Sequence, residues 1–531
     1  MEEPRQENND HSLEDPSPLN RDDLLGCLKT LQRLVDGNRH GLDLLNSEER
    51  LALVIAAGRL SRPSKEETSK RKKQAKDKLA SEQRALDRKA REKTGIRVAR
   101  TQPVFEAPEA LLLESAKEEL KGNATLGSYR NCYICKAKFT DLHPFYDTMC
   151  TPCGDFNYQK RFQTADLTGQ VAIFTGSRLK IGYHATLMLL RANATVIATT
   201  RFPVDSATRF AKEADYEEWK DRLHIHGLDL RHTPSVELFC DYVEANYERL
   251  DILINNAAQT VRRPPQFYKH LMDAEQMPFY EHSSEVQHLL KSHHQCLDRL
   301  SGFSTDDGNH TSSSALAVVD WNTASPGIGL RASAQLSQIP YKYDGAIQSP
   351  DVFPEGKLDV DLQQVDLRTT NSWRLTLGDV STLEMLEVQL VNAIAPFVLC
   401  NKLTPLMQRH NTGCKHIVNV TAMEGKFYTF HKPTARHPHT NMAKAALNML
   451  THTSAGELAK YGIYMNAVDT GWVTDEDPAQ LAQKKVDQHD FQPPLDIVDG
   501  AARVVDPLFD GINRGEHWCG KFLKDYAPID W

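Results

Sequence analysis

The sequence predicts an α/β fold, a doubly wound parallel sheet preceded by an N-terminal helical region and a small zinc-ribbon-like module. Three observations carry that prediction. From Gln170 onward, short apolar runs alternate with longer helical stretches, the pattern of buried strands joined by crossover helices. The first run, VAIF, leads through Thr175-Gly176-Ser177-Arg178-Leu179-Lys180-Ile181-Gly182 into an apolar helix containing Leu187, Leu189 and Leu190. Upstream, Cys132 and Cys135 are followed by Cys150 and Cys153 as two CxxC pairs.

The strands are expected at VAIFTG, ATVIATT, RLHIHGLDL, LDILINNAA and KHIVNVTA, all within a domain spanning residues 168–531. Residues 263–378 break the rhythm with DDGNHTSSS, several prolines and no steady period, and read as an insertion. Ahead of the domain, residues 1–20 read as a disordered tail. Residues 21–62 read as a helical pair: Leu24, Leu28, Leu31 and Val35 recur at helical spacing, and Asn46 with Glu49 forms a capping box. Residues 63–98, opened by Ser64 and Glu67, read as a charged helical spacer, and residues 125–160 as the cysteine module.

A chain of 531 residues exceeds one ordinary core. Hydrophobic content of 40% and charged content of 25% describe a globular protein, and a mean hydropathy of -0.50 adds polar stretches to it. A formal net charge of -8 gives no global basic field, so nucleic-acid binding is not expected. The cluster KRKKQAK, within Lys70 to Lys78, reads as a solvated helix face or as a nuclear-localisation patch on an otherwise cytoplasmic protein. No uncharged apolar run reaches the roughly 18 residues of a bilayer span, and the acidic start is no secretory signal. Ten cysteines, four of them in CxxC pairs, fit a reduced compartment with a metal site.

Each CxxC makes a knuckle that points two sulfurs at one centre, so Cys132, Cys135, Cys150 and Cys153 offer the four soft ligands of tetrahedral zinc, or of iron. Four thiolates leave no open coordination position, so the role is structural, with a protein partner as a further use. His143, between the knuckles, is read as a surface residue rather than a ligand.

The strand, tight turn and helix N-terminus at Thr175–Gly182 place backbone N–H groups and a positive dipole end where a pyrophosphate is held. Here the chain resembles the short-chain dehydrogenase/reductase family, whose pattern is TGxxxGxG followed by NNAG. The match continues through Asp229 in GLDL, Asn255-Asn256-Ala257-Ala258, Asn392 in VNAIAPF, IVNV before Thr421, and Lys444 in AKAAL. The resemblance implies a Rossmann domain binding a nicotinamide dinucleotide through Thr175, Gly176, Arg178, Lys180, Ile181, Gly182, Asn256 and Ala257. It places Asp229 and Leu230 beside the adenine, Asn255 under the central strands, Lys444 on the nicotinamide ribose and Thr474 at the carboxamide. Lys180 replaces the middle glycine, and either contacts phosphate or points to solvent. Arg201 follows the second strand where an acidic residue would bind the ribose hydroxyls of NAD, so NADP(H) is preferred over NAD(H); the alternative is an ordinary surface Arg.

The same resemblance exposes a gap. Lys444 fits the family's lysine and Asn392 its relay asparagine, but the serine position reads Ala422 and the tyrosine position, four before Lys444, reads Thr440. An aliphatic hydroxyl is a poor acid, and losing the phenol costs about 10²- to 10⁴-fold in proton transfer. Tyr428, His437 and His439 are the candidate stand-ins. Two readings stay open: an atypical NADP-dependent oxidoreductase acting on a carbonyl or enoyl small molecule, with the insertion as lid, or a non-catalytic NADP(H)-binding scaffold or sensor whose zinc module meets a partner. A homo-oligomer is compatible with both.

Overall fold

The structure, a computed structural model, describes residues 20–37, 39–62, 65–107, 125–302, 327–341, 349, 351–427 and 434–531. The expected tail, the cap at Ser64, the DDGNHTSSS stretch and Tyr428 lie outside them.

The chain divides into two compact units, residues 1–84 and 85–531. In the first, helices Arg21–Val35 and Ser47–Ser61 form where the apolar spacing places them. Asn46 and Glu49 make the expected capping box, each side chain accepting from the other's backbone N–H. Neither helix buries a residue within its unit. The helix Lys65–Glu92 is 28 residues long and runs from the first unit into the second.

The second unit is built on an eight-stranded sheet of order β10-β9-β8-β7-β6-β3-β4-β5. Its strands are β3 (Val171–Thr175), β4 (Thr195–Thr200), β5 (Leu223–Gly227), β6 (Ile252–Asn255), β7 (Lys415–Thr421), β8 (Ile463–Asp469), β9 (Phe522–Lys524) and β10 (Ala527–Ile529). All pairs are parallel except β9 with β10. The five expected strands are all present, and the chain adds β8 to β10 beyond them. The order reverses between β3 and β6, so a crevice opens beyond their carboxyl ends, where ligands of such sheets bind.

Strands buried on both faces need helices on both. On one side, Leu187, Leu189 and Leu190 of helix Lys180–Arg191 meet Ala501, Val504, Val505 and Leu508 of helix Ile497–Arg514 over Phe174 and Val196. On the other, Phe239 and Val243 of helix Thr233–Asn246 join Leu399, Leu403 and Leu406 of helix Ala395–Gln408 over Ile173, Ile197 and Leu253. The continuous helical stretch Thr382–Gln408 is long and apolar enough to cross a membrane by length and composition. Its buried face is the core of the domain, with Leu399, Leu403, Leu406 and Met407 fully enclosed.

The cysteine module is β1 (Thr125–Asn131), the antiparallel β2 (Lys138–Asp141) and helix Thr151–Lys160. It is not a separate bead. Leu126, Phe139, Phe145, Tyr146 and Met149 form one cluster with Val473, Leu495 and Ile497 of the sheet domain. Arg161, wholly buried, donates to Asp496 at 2.6 Å and lies 3.0 Å from Asp499. Tyr146 donates its phenol to Asp499. Burial opposes the charge on Asp496, but Arg161 outweighs it and holds the carboxyl below its usual range. Breaking a buried pair by removing one partner strands the other charge. Asp496→Ala, read by chemical denaturation, is therefore expected to cost about 3–5 kcal/mol.

Candidate functional site

The glycine turn is fixed by its neighbours. Gly176 has φ of 72°, and a Cβ there would lie 2.9 Å from the Cα of Ala257. A Cβ on Gly182 would run into the carbonyl oxygen of Gly176. Thr175 Oγ1 accepts from the backbone N–H groups of Asn256 and Ala257, and Asn256 Nδ2 donates back to the carbonyls of Thr175 and Gly176. Asn255, as expected, serves the strands: its Nδ2 donates to Asn419 Oδ1 at 2.8 Å.

Over this turn opens a cavity of about 400 Å³ lined by Gly176, Arg178, Lys180, Ile181, Gly182, Arg201, Asp229, Leu230, Asn256, Ala257 and Thr474. Eleven of the thirteen residues named for the cofactor thus meet in one place; Thr175 lies directly beneath and Lys444 is not among the lining residues. Lys180, at the family's middle glycine position, has a left-handed backbone with φ of 52°. Its ammonium lies 3.6 Å from Asp361 on the insertion, with the side chain partly exposed. Burial lowers its pKa, and Glu476, Asp361 and Asp359 more than restore it. Arg178 is tied to Asp205 at 2.7 Å. Asp229 is fully buried and gripped by Arg231 at 2.6 Å, so its carboxylate is committed to structure and only its backbone and Leu230 remain for an adenine. Thr474 Oγ1 donates to Glu476.

Arg201 is different. Its Nη2 donates to the phenol oxygen of Tyr268 at 2.9 Å. Among the described residues it has no carboxylate partner. It is half-buried at the cleft, so the surface alternative does not describe it.

At the other end, Lys444 is buried and donates Nζ to the carbonyl of Val420 at 2.7 Å. Burial pulls its pKa down to about 8 against the charges of Glu424 and Asp469. Asn392 sits in a π-bulge, Leu390–Ile394, and both its amide atoms engage the backbone of Gln259 rather than Lys444. Such bulges cluster at functional sites. Thr440 is buried, and its Oγ1 has no partner among the described residues.

The two histidines are not in an exposed loop. His437, with φ of 43°, stacks on Trp373 at 3.8 Å and shares Nδ1 with Asn441 Oδ1. His439 is buried 3.8 Å from Glu384, and burial pushes its pKa down to about 4. Packing of the helix Pro438–Ala459 against Thr382–Gln389 encloses His439, a tertiary contact with no local sequence signal.

The four sulfurs of Cys132, Cys135, Cys150 and Cys153 lie within 4.8 Å of one another. A tetrahedron with Zn–S bonds of about 2.3 Å has S···S edges near ~3.8 Å, so the donors fit a single thiophilic ion. Tyr133, inside the first knuckle, accepts the backbone N–H of Trp472 at 3.1 Å. His143 corrects the expectation of a surface residue: it is wholly buried, and its Nδ1 accepts from the backbone of Phe145 and Tyr146, fixing the turn between the knuckles.

Sequence reasoning missed Tyr268, Arg231, Arg262 and Glu387, all lining the cleft. Tyr268 has a legible helical context, QFYKHLM, but nothing in the sequence shows that this helix returns to β4.

Residues 170–283 match the family model for short chain dehydrogenases, and residues 358–495 that for enoyl-(acyl carrier protein) reductases. The chain is 29% identical over 404 residues to an uncharacterized protein of Acanthamoeba polyphaga mimivirus, covering 74% of each. It is 32% identical over 137 residues to a short-chain dehydrogenase/reductase of Pyricularia grisea, 24% of this chain and 54% of that one. Among solved structures, NADPH-bound carbonyl reductase from chicken fatty liver is 17% identical with a TM-score of 0.39, covering 69% of this chain and all (100%) of that one. The alignment thus spans about half of the Pyricularia relative. The two family matches fall on the sheet domain, one on its first half and the other on the end of the insertion and the strands that follow it.

Two measurements check this geometry. Metal analysis is expected to find one zinc or iron per chain, lost together with thermal stability in Cys132→Ser. Gly182→Ala is expected to abolish dinucleotide binding in a fluorescence titration, because the turn cannot close around a Cβ.

Proposed function

We propose that the chain is an NADP-dependent oxidoreductase of the short-chain dehydrogenase/reductase type, acting on a carbonyl or enoyl small molecule. The observation that carries this reading is Arg201, a cation without a carboxylate partner among the described residues, held at the adenosine side of a glycine-turn cleft. The pyrophosphate would rest on the turn at Gly176 to Gly182, and a 2'-phosphate on Arg201. When bound, the cofactor supplies or accepts the hydride. The residues of the chain hold the cofactor and move the proton.

Lys444, depressed toward neutrality, is suited to exchange or steer that proton. Thr440 cannot replace a phenol as the acid. His437, hydrogen-bonded to Asn441, is the titrating candidate in its stead. A second reading, a non-catalytic NADP(H)-binding scaffold or sensor, is favoured by Ala422 together with the buried, unpartnered Thr440.

Titration with NADPH and NADH tests the cofactor, and NADPH consumption over a panel of carbonyl and enoyl compounds separates the readings. NADPH is expected to bind more tightly, and the preference to collapse in Arg201→Ala. Binding without consumption of NADPH by any compound leaves the scaffold. For an active substrate, kcat/KM is expected to fall as pH rises through about 8, where Lys444 loses its proton. Lys444→Arg should move that fall upward. The sign for stability is the opposite: between about 8 and 10.5 the unfolded lysine holds a proton the folded one has released, so stability from this group rises with pH across that window.

A further inference from the structure

The long insertion is fastened to the end of β4 more firmly than a substrate lid requires. Among the described residues, Phe202, next to Arg201, is the one member of its buried cluster from the sheet domain; Phe267, Tyr268, Leu271, Met272, Ala334 and Phe353 are all from the insertion. Ser333 Oγ donates to the carbonyl of Arg201 at 2.9 Å. Glu275 accepts the backbone N–H groups of Val204 and Asp205, capping the helix Pro203–Phe210 that begins there. Arg209 of that helix in turn donates to the carbonyls of Asp361 and Leu362 on the insertion's far strand of chain. The carbonyl of Arg201 and the N–H groups of Val204 and Asp205 are thereby held by the insertion.

Among these contacts, the Arg201–Tyr268 pair is chemically incomplete. Arg178, Arg231 and Arg263 each have a carboxylate, in Asp205, Asp229 and Asp366. Among the described residues Arg201 has the neutral phenol and no carboxylate, and Asp229, which feels its charge, is already occupied by Arg231. A half-buried cation without a counter-charge is costly, and the pair is built around it. The phenol oxygen accepts from Arg201, which leaves its own O–H to donate into the cleft. Burial alone would raise the pKa of Tyr268, but Arg201, Arg263 and Arg178 outweigh it and bring it below the ordinary tyrosine value. A more acidic phenol is a stronger donor to an anion.

We infer that Tyr268, from the insertion, and Arg201, from the sheet domain, together form the recognition site for the 2'-phosphate of NADP(H). The dianion supplies the missing counter-charge to Arg201 and the missing acceptor to Tyr268. The insertion is then part of the cofactor site and sets cofactor choice. This rests on the NADP reading given above.

The test uses the full chain and its Tyr268→Phe and Arg201→Ala variants. Binding of adenosine 2',5'-bisphosphate and of 5'-AMP is measured by calorimetry, because these fragments report on the adenosine half alone. The expected result is a native preference for the bisphosphate. Tyr268→Phe should weaken bisphosphate binding roughly 10-fold while 5'-AMP affinity and thermal midpoint stay as in the native chain. Three results would overturn the inference. If Arg201→Ala abolishes the preference and Tyr268→Phe keeps it, the tyrosine has no part and the NADP reading stands. If Tyr268→Phe weakens both fragments equally, the residue only supports the fold. If the native chain binds 5'-AMP as tightly as the bisphosphate, both the inference and the NADP reading fail.

Discussion

The cleft depends on the interlock between the ends of β3 and β6. Thr175 Oγ1 is its hub, donating to the carbonyl of Ile254 and accepting from Asn256 and Ala257. Asn256 closes the loop by donating to Thr175 and Gly176. These bonds leave no room for a Cβ at Gly176 or Gly182, and the helix after the turn consequently starts hard against the sheet. Its first backbone N–H groups then face the crevice where the strand order reverses. Lys180 shows how firmly this geometry is imposed, because a side-chain residue occupies the left-handed region there. That conformation costs about 1–2 kcal/mol for an L-residue, and the surrounding bonds determine it nonetheless.

What the sequence shows of this depends on how local the cause is. The central strands are visible because burial on both faces favours short apolar runs, as in IVNV of β7, where every residue from Lys415 to Thr421 is buried. The glycine turn is visible because only glycine satisfies it at two positions. The helix Ser284–Gly302 has a local trace: Val286, Leu289, Leu290, His293, Cys296 and Leu297 keep helical spacing and pack toward the sheet. The polar stretch that follows it obscured the period. The pair of Arg161 with Asp496, 335 residues apart, has no local trace at all. The same holds for Tyr268 on Arg201, since a helix inside an irregular insertion gives no sign of which strand end it returns to.

The catalytic end departs from the family's chemistry in a more specific way than two substitutions suggest. Thr440 is not a shortened tyrosine reaching into a site; it is enclosed, and its hydroxyl is unpartnered among the described residues. Lys444, which an adjacent phenol would ordinarily exploit, donates instead to a backbone carbonyl and sits with a pKa near neutrality because burial outweighs Glu424 and Asp469. A lysine so placed can carry or release a proton in the physiological range, a property that an ordinary lysine lacks. The shift on the lysine has its own cause, enclosure of the ammonium beneath Val420, and owes nothing to the residue at position 440.

The cysteine module belongs to the same site through packing. Its two short strands and ten-residue helix carry four convergent thiols, which would add metal–ligand bonds to the core they share with the sheet domain when an ion is bound. The first knuckle carries Tyr133, whose phenol oxygen takes the N–H of Trp472, and Ile134, which packs on the cluster holding Val473, Leu495 and Ile497. Thr474 follows on that loop, and Ile181 of the glycine turn packs on the same cluster. A metal that fixes the knuckle thus fixes the loop closing one wall of the cleft, while the insertion fixes the wall around Arg201. The sheet supplies the turn between them, and two appended segments with unrelated chemistry decide how tightly it closes.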